Sequence, residues 1–333
     1  MRTRVAETLR HPWVRIGGSL LILGLLLAFL PLHKIGAALR RIPLGLWLGI
    51  LAGFLATHLL GVVKWRLTLH LSNARLTFVQ ALRCYYAGLF GTVFLPSVVG
   101  GDVVRMGLAF RIERNRAGIL LGSLVDRLLD TISLAVVAGI GVLLLPGALD
   151  PRQRRAFIVL AVVFTVAFAG LFVLLRAVPW RRLPFKMRRV LVKVRLAWRS
   201  MASMPHYVLV SLLLGIIIQT NLVALSSAIA AACGLHVQFR VWLLVWPLAK
   251  LLALVPLTLG GLGIREAGLV ALLAPFGAPA ALAVAVGLAW ESIIIAGGLV
   301  AGFISFLIGG TAFARSVLKI DRLRSSEELT PIG

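Results

Sequence analysis

The chain has 333 residues, of which 60% are hydrophobic, and its mean hydropathy is +1.00. Soluble domains are about 45–50% apolar. Apolar runs long enough to span a bilayer recur along this chain, and this pattern excludes a water-soluble globular enzyme. The 35 basic and 11 acidic residues give a formal net charge of +24. The basic residues lie mostly between apolar runs rather than on one soluble module. We therefore interpret the excess of Lys and Arg as the enrichment that is usual in the loops of membrane proteins, and we expect no nucleic-acid partner.

Six apolar stretches predict membrane-spanning helices. In chain order they are residues 14–32, 44–63, 117–146, 156–175, 207–232 and 281–309. No small-residue cleavage site follows the first stretch, which we interpret as a retained anchor. Two further stretches, 78–99 and 241–276, each contain a proline and a pair of glycines that interrupt a helix. Irregular backbone at membrane depth is tolerated only inside protein or beside a wet cavity, so these two stretches predict broken or re-entrant hairpins.

The two interrupted stretches are similar to each other. The segments are FLPSVVGGDVVR (94–105) and VPLTLGGLGIRE (255–266). A constant shift of 160 positions, about half the chain, relates Pro96, Gly100, Gly101 and Arg105 to Pro256, Gly260, Gly261 and Arg265. The sequence therefore predicts an all-α membrane protein with repeats at 14–146 and 156–309, each with three spans and one Pro-Gly-Gly hairpin. If each hairpin returns to its own side, the repeats are inverted, as in many secondary transporters, and if the hairpins cross fully, the repeats are parallel.

Basic residues between the spans predict the orientation. The N-terminal tail, the loop 176–206 and the tail 310–333 carry most of them and are predicted to be cytoplasmic. The basic residues at 152–155 do not fit this scheme. Within 176–206, apolar residues mix with Lys and Arg, which predicts a helix on the inner leaflet, with a solvated linker as the alternative. We expect a multi-pass protein of the inner (plasma) membrane with both termini in the cytoplasm.

Arginines beside the paired glycines are the first candidate binding residues. Arg105 and Arg265 each follow a Gly-Gly turn, where backbone N–H groups and a helix start favour an anion and a guanidinium can bind phosphate bidentately. We expect these arginines to form a cradle for a lipid phosphate with the four glycines Gly100, Gly101, Gly260 and Gly261. The alternative is that each arginine pairs with a nearby carboxylate, or reaches the membrane surface. The carboxylates that flank the arginines are Asp102 and Glu266.

Three more acids lie in apolar stretches, where a charge costs about 2.5–3.5 kcal/mol and marks a candidate functional residue. Asp126 and Asp130 share one helix face in LGSLVDRLLDTISL (121–134), with Arg127 in reach of Asp130. They predict either an ion pair that holds helices together or a gating or proton-coupling group. Glu291 stands alone in GLAWESIIIAGG (287–298), with Arg265 or Lys250 as its expected partner, for coupling or as a static pair.

Motifs for soluble catalysis are missing from the sequence. It contains no HExxH, GxSxG or P-loop, and its two cysteines, Cys84 and Cys233, have no metal-site spacing. The six histidines are scattered. We therefore expect no metal and no cofactor.

Three segments in order carry a resemblance to a known family. LPSVVGGDVVR (95–105), LVDRLLD (124–130) and VPLTLGGLGIREAG (255–268) resemble the flippase-like transmembrane family of the lysylphosphatidylglycerol synthetases, which includes the membrane half of the multiple peptide resistance factor. The resemblance covers nearly the whole chain and implies a domain that moves aminoacylated or other lipids between leaflets. The positions that match are Pro96, Gly100, Gly101, Asp102, Arg105, Asp126, Arg127, Gly260, Gly261, Gly263, Arg265 and Glu266. The 333 residues leave no room for the soluble aminoacyl-transfer domain of the synthetases, so we expect no lysyl-lipid synthesis.

The expected function is that of a lipid translocase. Its partner would be an anionic or zwitterionic phospholipid or a polyprenyl-phosphate lipid whose head group enters between the hairpins. One alternative is a membrane-embedded glycosyltransferase that acts on polyprenyl-phosphate lipids, with Asp102 or Glu291 as the catalytic acid. Another is a non-transporting partner of a lipid-modifying enzyme. The sequence leaves a homo-oligomer open.

Overall fold

The structure is a computed structural model that describes residues 30–94, 100–145, 203–253 and 263–327, with a few isolated residues between 151 and 199. These residues form helices and turns without a strand, which confirms the predicted all-α class for the described part of the chain. In chain order the helices are α1 Leu32–Arg40, α2 Leu44–Leu71, α3 Phe78–Phe94, α4 Gly100–Ile112, α5 Arg116–Leu143, α6 Pro205–Ala232, α7 Phe239–Leu252, α8 Ile264–Leu273 and α9 Ala280–Glu327. A 3₁₀ turn, Ala274–Phe276, follows α8.

Three described helices are long and apolar enough to cross a membrane. They are α2, α6 and the segment Ala280–Gly310 of α9, which match the predicted spans 44–63, 207–232 and 281–309. The helix α5 matches the predicted span 117–146 in length but carries three charges near its middle. The backbone of α9 stays helical through 327, beyond the predicted start of the polar tail.

Several predictions fall largely outside the described residues. These are the spans 14–32 and 156–175 and the interfacial helix in 176–206. The orientation of the two termini likewise stays a prediction.

The order of elements occurs twice along the chain. α2 and α6 each have 28 residues, and each is followed by a hairpin of two shorter helices and then by a longer helix. The C-terminal ends of α2 and α6 also have the same backbone geometry. Asn73 (φ 56°) and Gly234 (φ 87°) adopt left-handed backbone, and the next residues, Ala74 and Leu235, donate N–H bonds back to carbonyls five residues earlier, at 3.0 and 2.8 Å. The recurrence agrees with the duplication that the sequence predicts.

The first hairpin, α3–α4, is held tight by glycines. A Cβ added at Gly101 would lie 2.6 Å from the carbonyl oxygen of Gly88, so only glycine lets the two antiparallel arms approach this closely. The segments that flank the two arms are also linked, because the backbone N–H of Arg75, before α3, donates to Oε2 of Glu113, directly after α4, at 3.1 Å. The 17 and 13 residues of the arms are about 25 and 20 Å long, less than the roughly 30 Å of a hydrocarbon core. The depth of the hairpin in a membrane stays a prediction.

The second hairpin consists of α7 and α8, which pack against each other. A Cβ added at Gly268 would lie 3.3 Å from Leu252 Cδ1 and 3.7 Å from Ala249 Cα, so the two arms are in close contact. α8 begins at Gly263, whose φ of 87° is a backbone conformation that favours glycine. This turn places Arg265 and Glu266 in the first turn of α8.

The two halves interlock through reciprocal contacts. α2 and α6 run antiparallel, since the His70 and Tyr207 rings lie 5.4 Å apart at one end and Gly53 faces Leu225 nearer the other. The hairpin helix α3 packs on α9 of the other half, and α7 packs on α5, where Gly141 faces Leu244. Inverted repeats require such an antiparallel pair of equivalent helices. The inverted repeat as a whole stays a prediction.

Candidate functional site

A central cavity of about 300 Å³ lies where the two halves meet. Every helix from α2 to α9 contributes side chains to its wall. Arg105 of the first hairpin and Arg265 of the second both line it. The interlocked packing therefore brings the two sequence-predicted arginines to one space, although they lie 160 positions apart in the chain.

Arg105 is almost fully buried and is held by two carboxylates. Its Nη2 lies 3.1 Å from Asp102 Oδ1 and its Nη1 lies 3.2 Å from Asp126 Oδ2. The guanidinium carbon lies 4.6 Å from the Trp65 ring centroid and 5.2 Å from that of Tyr85, so two aromatic rings also stabilise the cation. Its buried Nε has no hydrogen-bond partner within the described part of the chain. Arg105 thus keeps one donor free for another acceptor.

Arg127 makes a bidentate pair with Asp102. Its Nε donates to Oδ2 at 2.6 Å and its Nη2 donates to Oδ1 at 2.7 Å. The sequence placed Arg127 in reach of Asp130, three residues away on the same helix, whereas the structure joins it to a carboxylate on α4. The fork of a guanidinium matches both carboxylate oxygens, which favours this pair over a single contact along α5.

Lys64 on α2 is the residue that the sequence analysis missed. Its Nζ lies 2.8 Å from Asp126 Oδ1 and 2.6 Å from Asp130 Oδ1, and its side chain is 2% exposed. The predicted span ended at residue 63, just before this lysine, whereas α2 continues to Leu71. The available signal was that Lys64 follows an apolar run directly. Together these contacts form an alternating chain of six charges in the order Asp130, Lys64, Asp126, Arg105, Asp102 and Arg127.

Arg265 also contacts two carboxylates, and it is the partner that Glu291 was expected to have. Its Nη2 lies 2.5 Å from Glu266 Oε1 and 2.9 Å from Glu291 Oε2, and it donates to the carbonyl of Gly287 at 3.1 Å. The other oxygen of Glu266 accepts the backbone N–H of Gly263 at 2.6 Å, which fixes the start of α8. Glu266 is fully buried behind the cavity wall, whereas Glu291 lines the cavity.

Lys250 on α7 differs from the other cations of the wall. Its Nζ donates to Gln219 Oε1 at 3.0 Å, and no carboxylate of the described residues lies within 4.0 Å of it. An aromatic surface lies beside it, where Trp290 contacts Trp246 edge-on at 5.0 Å between centroids and Phe54 at 6.0 Å. The alternative pairing of Glu291 with Lys250 is not the one in the structure.

The predicted glycines are only partly described. Gly100 and Gly101 are buried at the start of α4, and Gly101 lines the cavity. Gly260 and Gly261, like Pro96 and Pro256, lie outside the described residues. Among the residues that the structure does describe, no group of three or more His, Cys, Asp or Glu side chains is arranged to hold a metal ion.

The apolar helices around this charged cavity define an integral membrane protein of the polytopic helical class. The family model described as "Lysylphosphatidylglycerol synthase TM region" matches residues 13–319. The chain belongs to this family, which confirms the resemblance carried by its three motifs. No curated protein and no solved structure matched the chain in the corresponding searches.

Proposed function

We propose that the protein is a lipid translocase whose central cavity holds the polar head of a phosphate-bearing lipid while the acyl chains stay in the bilayer. The observation that carries the proposal is the charged cavity inside an apolar helix bundle, lined by Arg105 and Arg265 from two equivalent hairpins. Membership in the transmembrane-region family, which is associated with lipid modification or translocation, supports it.

The balance of charges in the cavity supports a head-group site. Moving a lipid phosphate through hydrocarbon without partners is costly, and a site that replaces its hydration lowers that cost. The wall supplies donors for a phosphate and carboxylates for a cationic group of the same head. A volume of about 300 Å³ lies at the small end of ligand pockets, which suits a head group rather than a whole lipid.

The arrangement of ion pairs supports a rocking mechanism. In the described residues, Lys64, Arg105 and Arg127 pair only within the first half, and Arg265 pairs only within the second. One half can therefore move against the other without separating a buried ion pair, a step that would be strongly unfavourable. Alternate exposure of the cavity to the two leaflets would follow from this movement, as in transporters with two repeats.

In this mechanism Arg105 and Arg265 contact the lipid phosphate, as the sequence predicts. Among the described residues, the Nε of Arg105 has no hydrogen-bond partner and is one donor that an arriving lipid could use. Asp126, Asp130 and Glu291 are the candidate groups for gating or proton coupling. They already contact cations, so any proton or ligand that enters must rearrange these pairs.

The test is leaflet accessibility of fluorescent phospholipids in proteoliposomes that contain the purified protein. We expect the wild type to move lipid faster than protein-free vesicles, and we expect Arg105→Gln and Arg265→Gln each to abolish the movement. Arg105→Lys is the milder variant, because removing a buried cation can unfold the protein. Arg240→Gln, on an exposed arginine outside the cavity, is the matched control.

Normal lipid movement in both charge-removal variants would reject the arginine site. A new covalent lipid species in an incubated extract would instead indicate the glycosyltransferase alternative, because a translocase leaves the chemical structure of its lipid unchanged.

A further inference from the structure

We propose that Lys250, Trp246 and Gln219 form an oxyanion subsite in the central cavity that binds the phosphate of the lipid head group. The inference rests on the proposed function and adds a contact that the hairpin arginines do not make. It assigns a binding role to Trp246 and Gln219, which the sequence analysis did not single out.

The first argument is the partner of each cation. Five cations of the described residues line the cavity, and four of them contact a carboxylate at 3.2 Å or less, namely Lys64, Arg105, Arg127 and Arg265. Within the part of the chain that the structure describes, the hydrogen bond of Lys250 goes to the neutral amide of Gln219, and no carboxylate lies within 4.0 Å of it. Because no carboxylate of the described residues contacts it, the ammonium of Lys250 is the positive charge in the cavity wall that an anion can approach most readily. An arriving anion can reach it without displacing an ion pair.

The second argument is an unpartnered donor on the same helix. Trp246 is 3% exposed and lines the cavity, and its indole N–H has no hydrogen-bond partner among the described residues. A buried donor without an acceptor is unfavourable, so an acceptor that enters the cavity would remove a cost already present. Trp246 and Lys250 are four residues apart on α7, so they lie on one face of the helix.

The third argument is the fixed position of Gln219. The side chain is 3% exposed on α6, and its Oε1 accepts a hydrogen bond from Lys250 Nζ. That bond holds the amide, so its NH₂ group is a further potential donor next to the ammonium. A lysine keeps three N–H donors on a flexible stem, and only one of them is used by Gln219.

The three groups together present an ammonium, an indole N–H and an amide, which are donors without a carboxylate between them. This set matches the oxygen atoms of a phosphate, which accept charge-assisted hydrogen bonds. The same chemistry would bind free phosphate. The lipid is the source that we assign, because the apolar surface formed by Trp246, Trp290 and Phe54 lies in the same cavity.

The test measures binding of labelled phosphatidylglycerol to the full chain in maltoside micelles, which contain no phosphate. Diacylglycerol with the same label is the probe without an anion. We expect Lys250→Gln to weaken phosphatidylglycerol binding by about tenfold or more and Trp246→Phe to weaken it several-fold, because each removes a donor to the charged group. Lys250→Arg should stay within about threefold of wild type, since it keeps the positive charge. Lys34→Gln, on the exposed side of α1, is the matched control.

Wild-type affinity of Lys250→Gln for phosphatidylglycerol would overturn the subsite. If Lys250→Gln weakens the binding of phosphatidylglycerol and of diacylglycerol equally, the subsite is also overturned. An affinity loss that does not depend on the phosphate would reflect altered packing. Inorganic phosphate is the third probe. If it binds with the same dependence on Lys250 while the lipid does not, the assignment to a lipid is overturned.

The proposed function can fail separately from the subsite. If the wild type binds phosphatidylglycerol through Lys250 but moves no lipid between leaflets, the subsite stands and the translocase proposal fails. If the wild type and Lys250→Gln move and bind lipid equally, the translocase proposal stands and the subsite fails.

Discussion

Lys64 on α2 and Asp126 on α5 form a buried ion pair at 2.8 Å, with side-chain exposures of 2% and 3%. The two residues are far apart in the sequence, and Asp126 also contacts Arg105 at 3.2 Å. One carboxylate thus joins the long helix α2 to the hairpin helix α4 through α5. The shape of this side of the cavity depends on that connection.

Replacing Lys64 by methionine should strongly destabilise the protein. Lys64→Met leaves Asp126 and Asp130 with fewer cations in a buried place, and breaking a buried pair costs about 3–5 kcal/mol. Thermal unfolding in detergent measures the effect. The double variant Lys64→Met with Asp126→Asn should recover part of the loss, because it removes one of the unpaired charges. A single variant as stable as wild type would show that the pair contributes nothing.

Replacing Gly101 by alanine should separate the arms of the first hairpin. The added Cβ would meet the Gly88 carbonyl oxygen at 2.6 Å, and such overpacking costs about 1–3 kcal/mol. Gly107→Ala on the same helix is the control, because nothing lies within 4 Å of its Cβ position. Unfolding midpoints of the two variants, compared in the same detergent, check the prediction. Equal midpoints would contradict the close approach of α3 and α4.

Replacing Gly263 by alanine should strain the start of α8. Its φ of 87° is unfavourable for a residue with a Cβ, and such strain costs about 1–3 kcal/mol. We expect lower thermal stability and a displaced Arg265–Glu266 pair. Gly139→Ala is the control, because Gly139 is helical and has open space at its Cβ, so alanine should stabilise by up to about 1 kcal/mol. Two variants that change stability in the same direction would argue against backbone strain at Gly263.

Glu113, in the loop after α4, should make stability depend on pH. Backbone N–H groups of Asn115 and Arg75 donate to its carboxylate and lower its pKa below the ordinary value of 4.5. A carboxylate with a lowered folded pKa stabilises the protein above the unfolded pKa, and this contribution is lost as pH falls through the folded pKa. Glu113→Gln should therefore reduce the unfolding midpoint at neutral pH, with the difference from wild type shrinking below pH 4.5. A difference that does not change with pH would indicate that the charge of Glu113 plays no part.

Much of the secondary structure could be predicted from local sequence. Apolar runs of bilayer length form α2, α6 and the first part of α9, because a helix satisfies its own backbone hydrogen bonds whatever surrounds it. The ends of α2 were less predictable. Lys64 resembles the charged end of a span, yet it is buried because two carboxylates on α5 neutralise it. That information lies in the packing of two helices and is absent from the local pattern.

The sequence by itself determined the all-helical class of the described residues and the family, because both depend on local composition or on motifs at fixed spacing, and it predicted the paired hairpins and all but one of the charged residues in the ion-pair chain. Only the tertiary structure decided which charges meet. In the structure Arg127 pairs with Asp102 rather than Asp130, and Glu291 pairs with Arg265. Lys250 donates a hydrogen bond to the side-chain amide of Gln219. The physical reason is that a pair between helices depends on their rotation and separation, which the packing of all the apolar faces sets together and no single segment contains.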